Sequence, residues 1–258
     1  MNKHSEYPSK LFRSKVEKKY QVFANMLQQP WQSCHDVSIY TAMHVLILSS
    51  ISVRSKEVTV TDNPLQYSPE KIKAALEEHE IIPDALDVAP EKGIKLEWIL
   101  GSKAVFGNII EPLEILREPY WIKWDSKKDT RFTIMMFGLD EPTRENHTLR
   151  EWQYWLVGNI PEFSVRFGDI LTYYLSPKPP KGTGIHRYVV LLYLQPNGDK
   201  IEFEEEKRPI YDIRDDDVRG NWSHEKFAEK YKLGNPVACN FFRVQWVEPR
   251  EDNDTNVL

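Results

Sequence analysis

The run Tyr188-Val-Val-Leu-Leu-Tyr193 constrains this chain more than any other stretch. It is β-branched, aromatic and uninterrupted by a charged or small polar residue, the pattern of a strand buried on both faces. The chain must therefore build a sheet covered on two sides and place this strand in its interior. The strand is preceded by "PPKGTGIHR", which begins at Pro179. Gly182 and Gly184 permit backbone angles closed to other residues and can gather N–H groups, with His186 and Arg187 directly behind them. Two readings are open. The turn holds an anion with His186 beside it, or it is a tight bend into a core strand with His186 hydrogen-bonded to neighbouring backbone.

Composition decides what surrounds that strand. With 258 residues, 41% of them apolar, the chain can bury a full core as one large domain, and general disorder is excluded. The 12% aromatic content, eight Trp and 17 Pro suit a β-rich, loop-rich fold better than a helical bundle. A formal charge of -5 leaves no electrostatic footprint for nucleic acid. Cys34 and Cys239 are far apart and lack metal-ligand spacing, so neither a disulfide framework nor a metal or other cofactor is expected, and Cys239 reads as a small buried hydrophobe.

Residues 1–65 read as an extension. Ser9 is placed to cap a helix over residues 9–29, with Phe12, Val16, Tyr20, Phe23 and Leu27 on one face and Lys10, Arg13, Lys15, Lys18 and Lys19 mostly on others. Such a basic amphipathic segment fits a mitochondrial presequence, a membrane-surface helix or an ordinary solvated helix packed on the domain. Residues 37–53 carry no formal charge but are too short and too polar for a membrane span. Met43 is followed by an apolar run and then by Arg54 and Lys56, so a start at Met43 would make a short targeting peptide. The expected location is cytoplasmic, with a mitochondrial one as the alternative that the basic start allows.

Ser68-Pro69-Glu70 predicts a helix start, with a capping serine, proline in the first turn and an acid at the positive end. Ile72, Ala75, Leu76 and His79 form its buried stripe, and Pro83 follows its end. Strands are predicted at residues 94–99 ("IKLEWI"), in "YWIKW" after Pro119, at 132–137 ("FTIMMF") and at 155–160 ("WLVGNI"). A late helix follows Ser223, with Phe227 and Tyr231 one turn apart, and stops at Gly234; "NFFRVQW", residues 240–246, is the last apolar element. The sum is mainly β: an antiparallel β-sandwich of Greek-key type with a few peripheral helices. It forms one domain over residues 68–247, followed by a polar tail at 248–258.

Several of these segments, taken in order, resemble one family, the phosphatidylethanolamine-binding proteins (PEBP), which include the Raf kinase inhibitor protein. They are "HEIIPDALDVAP" from His79, "LDEPTREN" from Leu139, "REWQYWLVGNIP" from Arg150, "PPKGTGIHRYVVLLYLQ" from Pro179, "RGNW" from Arg219 and "FAEKYKLGNPVACNFFRVQW" from Phe227. The resemblance implies a β-sandwich with a small anion pocket at one end that takes phosphate-type groups. It implies binding and inhibitory roles towards lipid head groups, kinases or proteases, and no catalytic reaction. Residues 1–65 lie outside it.

On this resemblance the glycine turn is one wall of the pocket, with His186 pointing in, Tyr188 beneath, and Pro179 and Gly184 in the turn itself. Arg187 supports the loop by pairing with an acid. Asp140, Pro142 and Arg144 match the family's first motif, where tying the loop is the expected role for Asp140 and Arg144 ahead of ligand contact. Trp152 and Tyr154 stand in the second. The chain also departs from the family. Gly138 replaces an aspartate, Leu139 a proline and Glu141 an alanine; Tyr154 replaces the pocket histidine, and Lys178 a glycine. One acid and one imidazole are thus expected to be lost and one ammonium gained. Lys178 and the Tyr154 hydroxyl either supply replacement donors, keeping an anion site of altered preference, or fill the cavity.

Other chemistry fits less well. Ser176 and His186 flank one loop, but no orienting group accompanies them, so a hydrolase is not expected. Glu204 to Glu206 and Asp215 to Asp217 lack calcium-loop spacing and read as a solvated acidic surface that could dock a basic partner. Asn146, Asn221 and Asn253 head N-x-S/T sequons, which matter only in a secreted chain. The reading is a monomeric, non-enzymatic PEBP-like module that binds a phosphate-containing small molecule or phospholipid head group and regulates a kinase or protease. The alternative is a pocket-less structural subunit of a larger assembly such as the mitochondrial large ribosomal subunit, in which case the chain would comigrate with that assembly on a sizing column.

Overall fold

The computed structural model describes residues 63–206 and 219–248, all within one compact unit, Val58–Leu258. The helix expected over residues 9–29, the apolar stretch 37–53, Asp215 to Asp217 and the end of the tail lie outside the described residues.

Among the described residues nine strands form in chain order: β1 Lys92–Gly93, β2 Lys95–Glu97, β3 Lys103–Ala104, β4 Trp121–Lys123, β5 Arg131–Gly138, β6 Trp152–Pro161, β7 Asp169–Thr172, β8 Ile185–Leu194 and β9 Ala238–Gln245. Six make one sheet in the order β1-β9-β8-β5-β6-β7, and β3-β2-β4 make a smaller one. The apolar strand Tyr188 to Tyr193 lies in β8, between β9 and β5. All pairings are antiparallel except β1 with β9, which run parallel. The sheet is thus mixed where a purely antiparallel one was expected. β1 and β9 are far apart in sequence, so no hairpin dictates their relative direction.

The alternation along β8 explains why it carries no exposed apolar face. Tyr188, Val190 and Leu192 join Met136, Phe242 and, from the small-sheet side, Leu96, Trp98 and Trp124 in one core. Val189, Leu191 and Tyr193 point the other way, joining Met135, Phe137 and Phe241 beneath two helices. The first, α1 (Pro69–Glu78), is capped by Ser68, whose Oγ accepts from the Lys71 N–H at 3.3 Å. It buries Ile72 and Leu76 fully and Ala75 and His79 partly. The second, α2 (His224–Lys230), is capped by Ser223 and buries Phe227 and Ala228. Cys239 is fully buried in this second core, and burial pushes its thiol up.

Pro64 is fitted against β1. A Cβ at Gly93 would stand 2.1 Å from the Pro64 carbonyl oxygen, a backbone atom that cannot swing aside. Gly93→Ala is therefore expected to destabilise the fold by about 1–3 kcal/mol, as overpacking does, read as a lower urea midpoint with unchanged slope.

Candidate functional site

Strand β5 ends at Gly138, which faces Tyr188 of β8 on one side and Trp152 of β6 on the other. The chain then turns through Asp140 and Glu141. Gly138 has no side chain, and that absence admits Glu141: a Cβ at position 138 would lie 2.4 Å from Glu141 Oε2 and 2.6 Å from Oε1. The Glu141 carboxylate is nearly buried. Its Oε2 accepts from the Asp140 N–H at 3.1 Å, and its Oε1 accepts from the Tyr154 hydroxyl at 2.9 Å. Burial first, and then the Glu141 charge, hold the Tyr154 phenol well above its usual range, so it stays a donor. Tyr154 is fixed by ring contacts with Trp152 at 4.5 Å and Tyr188 at 5.0 Å between centroids.

The glycine turn orients His186 by a count of protons. Gly182 and Gly184 both have positive φ, 83° and 81°, which lets the turn fold back over Thr183. The Thr183 hydroxyl donates to the Pro180 carbonyl at 2.8 Å, so its oxygen accepts from His186 Nε2, also 2.8 Å away. That fixes the Nε2–H tautomer in the neutral ring. His186 Nδ1 is buried, has no hydrogen-bond partner, and lies 3.6 Å from Glu141 Oε1. Two acceptors thus converge on one small volume.

Behind this pair the loop is tied down by Arg187, which is fully buried. Its Nε and backbone N–H both reach Asp140 Oδ2, at 2.9 and 2.8 Å, and one terminal nitrogen reaches Asp140 Oδ1 at 2.7 Å and Asp84 Oδ2 at 2.8 Å. The other donates to the carbonyls of His79 and Glu80 at 3.0 and 2.8 Å, so the guanidinium joins the end of α1 to the site loop. Partial burial works against the Asp84 charge, but hydrogen bonds and charges from Arg187 and Arg150 outweigh it and hold the carboxyl below its usual range. A carboxyl depressed on folding stabilises above its unfolded pKa and loses that contribution as pH falls through the folded one. Asp84→Asn is therefore expected to be less stable than the parent at pH 6, with the gap closing below about pH 4, read from urea midpoints at each pH.

Of the residues expected at the site, the structure brings His186, Tyr188, Tyr154 and Trp152 together at this end of the sheet, with Pro179 buried in the turn. Lys178, Pro142 and Gly184 are exposed. Arg144 pairs with Glu80 at the surface. Asp140, for which tying the loop was expected ahead of ligand contact, has both carboxylate oxygens engaged by Arg187 and is fully buried, so its place is behind the site. The acid expected to be lost at position 138 is present after all, carried by Glu141. Sequence reasoning noted Gly138 and Glu141 as separate departures; a glycine three positions before an acid in one turn was the available signal. Thr183 was missed altogether. Among the described residues no group of His, Cys, Asp and Glu could hold a metal ion.

The fold is a covered β-sandwich with a polar, buried cluster at one end of its main sheet. A family profile described as phosphatidylethanolamine-binding protein matches residues 116–242. Odorant-binding protein A5 of Drosophila melanogaster is 32% identical over 207 residues, spanning 80% of this chain and 91% of that protein. This chain belongs to the phosphatidylethanolamine-binding protein family. Two solved structures share the fold. A carboxypeptidase Y inhibitor complexed with its cognate proteinase superposes with a TM-score of 0.59 at 23% identity, over 69% of this chain and 97% of the other. A phosphatidylethanolamine-binding protein from Plasmodium vivax superposes with a TM-score of 0.57 at 20% identity, over 67% and 97%.

Proposed function

We propose that this chain is a non-catalytic binding module and that its site takes an amine-bearing phosphate head group of the phosphoethanolamine type, ammonium inward and phosphate outward. One observation carries this reading: the Glu141 carboxylate and the bare His186 Nδ1, 3.6 Å apart and buried, are two acceptors waiting for one donor. An ammonium bonds both at once. A phosphate in the same place would meet a carboxylate and a lone pair, which repel it. The phosphate is left to the exposed glycine turn and the neighbourhood of exposed Lys178. A proteinase or kinase partner would meet the loops around this end, and the fold shared with a proteinase inhibitor supports that form of regulation.

Calorimetric titration of the full chain with phosphoethanolamine, ethanolamine and inorganic phosphate tests the reading, with phosphatidylethanolamine vesicles as the lipid source of the same head group. Phosphoethanolamine should bind most tightly of the three small molecules, and His186→Ala, which leaves Glu141 in place, should reduce the difference. Equal affinity for inorganic phosphate and phosphoethanolamine would rule out the inward amine.

A further inference from the structure

A second concave region lies away from the His186 cluster, where the far end of β8 meets the start of β9. There an open groove of about 890 Å³ runs past Leu86, Ala89, Tyr193, Ala228, Pro236 and Val237. Its size falls within that of small-molecule sites, about 300–1,000 Å³, and its walls are largely apolar.

The floor of the groove is polar and built. His224 lines it and is 3% exposed, with its ring stacked on Phe137 at 5.0 Å between centroids. Its backbone N–H and Nδ1 are both spent on Glu151, at 2.8 and 2.6 Å. Glu151 is not among the residues that line the groove, and in the neutral ring Nδ1 carries the proton shared with Glu151, which leaves Nε2 a lone pair. Tyr193 lies beside it, and burial, followed by the charges of Glu151 and Glu225, pushes its phenol up. The lining of the groove carries more acids than bases. Asp87, Glu91, Glu225 and Glu229 line it, while Lys92 is drawn off by Asp125 at 3.2 Å, and Lys127 is the other cation there.

We propose that this groove binds an apolar amine in its protonated form, with the hydrocarbon along Leu86, Ala228 and Val237 and the ammonium on His224 Nε2, inside the acidic rim. An acceptor on the floor, a surplus of acids and apolar walls together select a cation with a hydrophobic tail. A fatty carboxylate would be repelled by the rim, and a neutral alcohol would gain nothing from it.

The test uses the full chain and three eight-carbon probes, octylammonium, 1-octanol and octanoate, followed by NMR shifts of the Ala228, Val237 and Tyr193 amides. Octylammonium should saturate these shifts and bind most tightly. Glu225→Lys, a surface change, should weaken it about fivefold at low ionic strength while leaving 1-octanol unchanged. Saturating phosphoethanolamine should not displace it, which separates this site from the one at His186. The proposal fails if octylammonium does not saturate, if 1-octanol or octanoate binds as well, if Glu225→Lys binds octylammonium like the parent, or if phosphoethanolamine competes.

Discussion

Asp140→Ala is expected to lose about 3–5 kcal/mol of stability, the usual consequence of stripping one partner from a buried ion pair. Arg187 and Asp140 are both fully buried, and Arg187 directs three side-chain and backbone contacts at this one carboxylate. Without it the guanidinium keeps only Asp84 and two carbonyls, in a place where water cannot replace the lost acceptors. Urea unfolding of the parent and the variant measures the loss. The double variant Asp140→Leu with Arg187→Met should recover part of it, since no buried charge is then left unpaired. Recovery should be incomplete because the His79 and Glu80 carbonyls lose their donor. A single-variant loss below about 1 kcal/mol, the level of an exposed pair, would show that the pair is not closed off from water.

Glu141→Ala is expected to weaken phosphoethanolamine binding about 10- to 100-fold, the scale of a lost hydrogen bond to a charged group, and to leave inorganic phosphate unchanged or slightly better bound. The asymmetry follows from where the carboxylate sits. It approaches the space a side chain at Gly138 would fill and takes the Tyr154 hydroxyl on Oε1 at 2.9 Å, with His186 Nδ1 3.6 Å from the same oxygen. Removing it takes away the acceptor for an amine and also the charge that opposes an anion. Glu141→Gln serves as the companion, because it keeps an acceptor for Tyr154 and loses only the charge. Parallel loss of phosphate and phosphoethanolamine affinity in both variants would contradict an amine contact at Glu141.

Much of the fold was legible because burial leaves a pattern. The long strands β5, β6, β8 and β9 carry apolar runs covered on two faces, and Ser68 and Ser223 cap the helices that follow them. β1 and β3, of two residues each, carry no such pattern, and the parallel pairing of β1 with β9 comes from how the two ends of the sheet meet. At the site, His186, Arg187 and Tyr188 stood out because they open an apolar strand. Glu141 did not, since its role depends on a turn that carries its carboxylate back over Gly138. The same holds for Asp84, which reaches Arg187 across 103 positions of sequence, and for Thr183, whose effect on His186 is a matter of which oxygen holds which proton.

The most direct measurement of the central claim is the long-range ¹H–¹⁵N spectrum of the His186 imidazole in the full chain, recorded with and without phosphoethanolamine and assigned with His186→Ala. The geometry predicts an Nε2–H tautomer in the free protein and a saturable shift confined to Nδ1 as the ammonium takes its lone pair. Saturable binding with the His186 nitrogens unmoved would contradict it and place the ligand elsewhere on the molecule.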